Sequence, residues 1–99
     1  MVLKLALKVN NKDNVATVFA NDIINGTEVE IRDQVGKIER MHVIGNVPYG
    51  HKIAVKDIHK GEHIIKYGEE IGVATAEILQ GEYVHIHNLD SMRGRGDLD

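Results

Sequence analysis

The chain has 99 residues, a formal net charge of −3 and a pI of about 6.0, so it makes one small domain with no global basic field for nucleic acid or an anionic membrane. It has no cysteine, which excludes disulfides, thiolate zinc sites and a thiol nucleophile. Hydrophobic residues make up 42% with one Phe, three Tyr and no Trp, so the core must come from Val, Ile, Leu and Ala, a set that suits strands, while six His point to imidazole chemistry.

Residues 1–9 carry Lys4 and Lys8, and are too short and too charged for a signal peptide or a membrane span; the expected location is cytoplasmic. Leu3–Val9 reads as a strand with one buried face. Asn10–Asn14 is turn chemistry, because short amides and carboxylates bond their own backbone. Val15–Ala20 is a short apolar run, a buried strand. Strands follow at Thr27–Ile31 and Ile38–Ile44, joined by a polar connection. Gly45–Gly50 holds the only proline, Pro48, between two glycines and is the clearest loop. Further strands are expected at His51–Lys56 and His63–Tyr67. In Glu69–Leu79, Ile71-Gly-Val-Ala-Thr75 breaks the start of a helix, so strand then turn is the better reading.

The richest stretch is Gly81–Asp97. As an extended strand it places His85 and His87 on one face and Val84 and Ile86 on the other. It then enters Arg93-Gly-Arg-Gly-Asp97, too glycine-rich for a helix interior. Imidazoles at i and i+2 can both reach one metal, with a third ligand from elsewhere; the other reading is two strand histidines without a ligand. His51, which opens a strand after the Pro48 loop, is the in-chain candidate to join them. A shared site requires the three side chains to lie within about 12 Å of one another, since metal–imidazole bonds are roughly 2 Å. Arg93 and Arg95 suit bidentate carboxylate binding, or else belong to a tail or a subunit contact. Lys52 and Lys66-Tyr67 suit a carboxylate contact, against the reading of solvated strand lysines. His42, His59 and His63 fall on surface or turn positions.

One template recurs. Asp22-Ile-Ile-Asn-Gly26-Thr, Asp57-Ile-His-Lys-Gly61-Glu and Glu77-Ile-Leu-Gln-Gly81-Glu share acid, Ile, two variable residues, Gly, then Thr or Glu. The Ile should plug the core, the Gly should supply a left-handed turn, and the acid should accept turn hydrogen bonds. Three such corners, about seven short strands and no helical stretch of ten residues predict an all-β domain.

The corner Asp-Ile-x-x-Gly-Glu resembles that of the SAF domain, a small folded ribbon with the β-clip fold found in type III antifreeze proteins, flagellar P-ring chaperones and sialic acid synthases. The likeness narrows through Asp13-Asn-Val-Ala16, Val47-Pro-Tyr-Gly-His51-Lys52-Ile-Ala, Asp57-Ile-x-x-Gly61-Glu, Ile65-Lys-Tyr-Gly68-Glu-x-Ile-Gly72-x-Ala74, Val84-His85-x-His87-Asn88 and Arg93-Gly-Arg-Gly. Together these resemble the N-terminal region of the altronate/galactarate dehydratase family.

The resemblance implies a SAF-like β-clip over 1–92 and an Arg/Gly hinge or tail over 93–99. It implies a small subunit of a carbon–oxygen lyase that dehydrates a sugar acid to a 2-keto-3-deoxy acid with a separate large dehydratase subunit, and little activity alone. A divalent metal, iron first, is the implied cofactor, with His85 and His87 as its ligands. His51, His85 and His87 are the catalytic candidates, and Lys52, Asn88, Arg93 and Arg95 the substrate-binding ones. The alternatives are the small subunit of a sulfolactate sulfo-lyase and a non-catalytic module that binds carbohydrates or acids. A homo-oligomer is compatible with exposed ribbon edges; neither nucleic acid nor membrane is an expected partner. With 27% of residues charged, ice binding is disfavoured.

Overall fold

The computed structural model describes residues 4–91. Among these residues there are nine short strands and no helix: β1 (Leu5–Lys8), β2 (Val15–Val18), β3 (Glu28–Asp33), β4 (Ile38–His42), β5 (Lys52–Ala54), β6 (His63–Lys66), β7 (Glu69–Ala74), β8 (Tyr83–Val84) and β9 (Leu89–Ser91). The domain is all-β and SAF-like, as its residue pattern predicts. The Arg/Gly segment 93–99 lies outside the described residues.

Six strands form one curled sheet in the order β4-β3-β1-β2-β5-β8, and three form a second in the order β6-β7-β9. β1 and β3 run parallel, and the other named strand pairs run antiparallel. Val15, Ala16, Thr17 and Val18 are all buried, because β2 is an interior strand with a core on each face. One core gathers Ala6, Val18, Val29, Ile31 and Ile53 under the large sheet. The other gathers Val15, Ala54, Ile58, Ile64, Ile78 and Val84 against the small one. Small aliphatic side chains fill both, as expected of a chain with four aromatic residues.

The repeated corners weld the sheets together. Ile23, Ile58 and Ile78 are buried, as core plugs should be. A fourth corner, Asn46-Val-Pro-Tyr-Gly50-His51, has the same construction; Asn in place of an acid and Val in place of Ile hid it in the sequence. The corners are clasped in two pairs, through the bridges Ile23–Val47 and Ile58–Ile78. In each pair a first-position side chain accepts the amide of its mate's fourth residue. Asp57 Oδ1 accepts from Gln80 N at 2.8 Å, Glu77 Oε2 from Lys60 N at 2.7 Å, and Asn46 Oδ1 from Asn25 N at 3.1 Å. Asp57 and Glu77 are thus the turn acceptors expected. Asp22 instead takes a left-handed backbone, φ 60°.

Asp13 and Asn14 pin the β6–β7 hairpin to the large sheet. Asn14 Oδ1 accepts from Ile65 N at 2.7 Å and its Nδ2 donates to the His63 carbonyl at 2.9 Å. Asp13 Oδ1 accepts from Gly68 N at 2.8 Å. In contrast, the buried Thr17 Oγ1 has no hydrogen-bond partner. A buried hydroxyl left unpaired costs about 1–3 kcal/mol. Thr17→Val, which keeps the shape and removes the hydroxyl, should therefore raise the unfolding free energy by about 1 kcal/mol in denaturant titration. A loss of that size would show that the hydroxyl does have a partner.

Candidate functional site

The site follows from strand register. β5 and β8 pair antiparallel with Lys52 opposite Val84 and Ile53 opposite Tyr83. Continuing that register sets His51, just before β5, opposite His85, just after β8, on one face. Their ring centroids are 4.7 Å apart. Tyr83 lies two residues before His85, on the same face by strand alternation. Its phenol stacks on His85 with centroids 5.7 Å apart and planes 7° from parallel. Tyr83 Oη meets His51 Nδ1 at 2.8 Å, and the ring lies 5.3 Å from His87. Tyr83 is thus the platform on which all three imidazoles rest. Reading the strand forward from His85 misses it; the Tyr-x-His spacing, read backward by the same alternation, carries the signal.

The extended strand expected through His85 and His87 does not form. β8 ends at Val84, and His85–Asn88 is a turn. Ile86, expected to share a buried face with Val84, is 80% exposed while Val84 is fully buried. The physical reason is Asn88. Its Oδ1 accepts from His85 N at 3.0 Å, its Nδ2 donates to the Tyr83 carbonyl at 2.9 Å, and its backbone N donates to the His85 carbonyl at 3.0 Å. These bonds close a tight turn that a strand cannot compete with. Asn88 is buried, and both of its polar side-chain groups are held by backbone. The structure gives this expected substrate contact a positioning part: it holds the turn that presents His85 and His87.

Burial lowers the His85 pKa, helped by the charges of His51, Lys52 and His87. Burial also lowers the pKa of half-buried Lys52, with Lys66 nearby adding to it. Burial raises the Tyr83 pKa, so its phenol stays protonated. His85 is therefore favoured in its neutral form, with the Tyr83 ring stacked on it. Arg93 and Arg95 fall outside the described residues.

Among the described residues no three His, Asp or Glu side chains come together as a metal-ligand set. His51 Nδ1 is already engaged by Tyr83. The three histidines share a face without forming a metal centre of their own. The remaining histidines lie apart from this face. His59 pairs with Glu77 at 2.8 Å and His63 with Glu70 at 2.6 Å, and His42 is exposed on β4. The open cleft lined by Lys8, Lys12, Glu39 and Lys56 contains none of the three site histidines.

Fold and face define an all-β, SAF-like module that presents imidazoles and a tyrosine on an open surface. The chain belongs to the family described as the altronate/galactarate dehydratase SAF domain, which matches residues 4–92. It is 43% identical over 82 residues to altronate dehydratase of Escherichia coli (strain K12), covering 83% of this chain and 15% of that protein. It is 45% identical over 47 residues to (2R)-sulfolactate sulfo-lyase subunit alpha of Chromohalobacter salexigens, 48% of this chain and 50% of that one. To the Paracoccus pantotrophus subunit of the same name it is 37% identical over 54 residues, 54% of this chain and 81% of that one. The chain thus spans about one-seventh of the altronate dehydratase and half of the Chromohalobacter subunit. No helix among the described residues is long and apolar enough to cross a membrane.

Proposed function

We propose that this chain is the small subunit of a sugar-acid dehydratase of the altronate or galactarate type, working with a large catalytic subunit in the cytoplasm. The observation that carries the reading is the meeting of His51, Tyr83 and His85 on one face of a module whose family is that of these dehydratases. That the sulfo-lyase relatives are named as subunits favours a partner that supplies the rest of the site.

The chemistry follows from the face. Dehydration removes the proton on the carbon next to the carboxylate and expels the neighbouring hydroxyl. Neutral His85 takes the proton. The C–O bond breaks, the hydroxyl leaves as water with the proton that His85 took up while His51 Nε2–H holds the leaving oxygen in a hydrogen bond, and the enol tautomerises to a 2-keto-3-deoxy acid. Tyr83 O–H, donating to His51 Nδ1, keeps the His51 proton on Nε2. Lys52, with Arg93 and Arg95, attracts the carboxylate, and His87 borders the same face. A divalent metal, iron first, would be held chiefly by ligands of the large subunit.

A second reading has specific support. Both sulfo-lyase relatives are named as subunits, and the chain covers 81% of one of them. In that case the same face serves a sulfonated 2-hydroxy acid and the leaving group is sulfite. Product analysis, 2-keto-3-deoxy acid against sulfite, separates the two.

The test is reconstitution with the large subunit. The 99-residue chain alone should show negligible turnover of altronate or galactarate. In the assembled enzyme, His85→Ala and His87→Ala should each lower kcat at least about tenfold while the circular dichroism of the module stays unchanged. The acid limb of the activity profile should fall below the free-imidazole value of about 6.5, because a lowered His85 pKa keeps the base form populated to lower pH. Full rates in both variants, or robust turnover by the chain alone, would sink the proposal.

A further inference from the structure

Each corner closes with a four-residue turn in which the first carbonyl accepts the fourth amide. The bonds are Ile24–Thr27 at 3.0 Å, Pro48–His51 at 3.1 Å, His59–Glu62 at 2.9 Å and Leu79–Glu82 at 2.9 Å. The third residue of each is a glycine, with φ of 89° at Gly26, 83° at Gly50, 92° at Gly61 and 89° at Gly81. This is type II geometry.

Three turns carry a further bond. The fourth side chain folds back and accepts the first residue's amide: Thr27 Oγ1 from Ile24 at 3.1 Å, Glu62 Oε1 from His59 at 2.6 Å, Glu82 Oε1 from Leu79 at 2.9 Å. In the remaining turn the first residue is Pro48, which has no N–H to offer. The fourth residue there is His51, and its Nδ1 goes instead to Tyr83 Oη at 2.8 Å.

Reach does not explain the difference. The Thr acceptor lies two bonds from Cα and the Glu acceptor four, and both close this turn. Imidazole Nδ1 lies three bonds out, between them, and is an acceptor in the neutral ring. With an amide at residue 48, His51 would have the same fold-back bond available as the other three corners.

We propose that Pro48 is a positioning residue for His51: by deleting the amide that the other corners cap, it releases the imidazole from its own turn and delivers it to Tyr83 and the histidine face. One residue thereby separates a structural corner from a working one. The effect on activity rests on the function proposed above, but the placement of the ring does not.

NMR of Pro48→Ala tests the placement. The His51 ring should leave the face, so its nuclear Overhauser contacts with His85 and Tyr83 should drop below about half of the wild-type intensity, and the new backbone amide at position 48 should become protected from exchange. If proline merely stiffens the turn, the melting temperature falls but the ring contacts stay, and a folded Pro48→Ala with unchanged ring contacts would overturn the proposal. Should Pro48→Ala fold poorly, a double-mutant cycle decides. His51→Glu should be better tolerated when combined with Pro48→Ala than beside the native proline, because the introduced carboxylate then has an amide to accept, as Glu62 and Glu82 do. Equal tolerance in both backgrounds would also overturn it. In the reconstituted enzyme Pro48→Ala should lower kcat at least about tenfold. A displaced ring with full activity would count against the proposed function and leave the positioning standing.

Discussion

Gly81→Ala should be among the most damaging single changes in this chain, costing about 4 kcal/mol or more, whereas Gly61→Ala should cost about 1 kcal/mol. Both glycines hold the same place in the same type of turn, with φ of 89° and 92°. The left-handed backbone penalises alanine about equally at each. What differs is the space. A Cβ on Gly61 meets nothing within 4 Å, whereas a Cβ on Gly81 runs into the carbonyl oxygen of His42, which is backbone and cannot swing aside. Moving it breaks a junction: Gly81 N donates to the Ala54 carbonyl and Ile44 N donates to the Gly81 carbonyl, each at 2.8 Å. β8, and Tyr83 with it, enters the large sheet at that junction. Urea titration of the two variants side by side is the measurement, and equal losses would refute the steric account.

Asn88→Asp should be nearly as severe at neutral pH and milder in acid. One carboxylate oxygen still accepts from His85 N. The other replaces a donor and faces the Tyr83 carbonyl, in a side chain that is buried. An unpaired buried acceptor costs about 1–3 kcal/mol, and more when charged. The fold therefore favours the protonated carboxyl, whose O–H can donate to the Tyr83 carbonyl. That raises the folded-state pKa above the unfolded value of about 3.9. The penalty is accordingly full above the folded pKa and shrinks as pH falls through it toward the unfolded value. Melting temperatures of wild type and Asn88→Asp should converge on acidification. Parallel curves would mean that the amide is not locked to backbone and would return Asn88 to the substrate-facing side.

These two residues also show what is legible from residues alone. Gly81 is readable, because the template Glu-Ile-x-x-Gly-Glu demands a left-handed glycine wherever it occurs. So are the all-β class and the buried Ile23, Ile58 and Ile78, because strand periodicity and turn chemistry are local. The fourth corner escapes a template defined by an acid, since the fold requires only an oxygen acceptor, which Asn46 also supplies. At the site, His51 near His85 is expected from the kind of residue and its neighbours, not from pairing. The register that brings them together is set by β5 and β8, about thirty residues apart in sequence, and periodicity is blind to that. The turn at His85–Asn88 is hidden for a related reason. Alternating Val-His-Ile-His satisfies a strand pattern, and only the two bonds of the Asn88 side chain tip it into a turn.

The paired corners bear on how the chain acquires its shape. A corner built on Ile23 has its clasp only when Val47 arrives, and one built on Ile58 waits for Ile78. Neither half is complete until a segment roughly twenty residues further along is made, and Asn14 then waits for His63 and Ile65. The ordering entropy of each segment thus precedes its reward, which slows folding. On the ribosome, the first corner would stay open until Val47 emerges, and His51 would wait for Tyr83 and His85 before the histidine face could form.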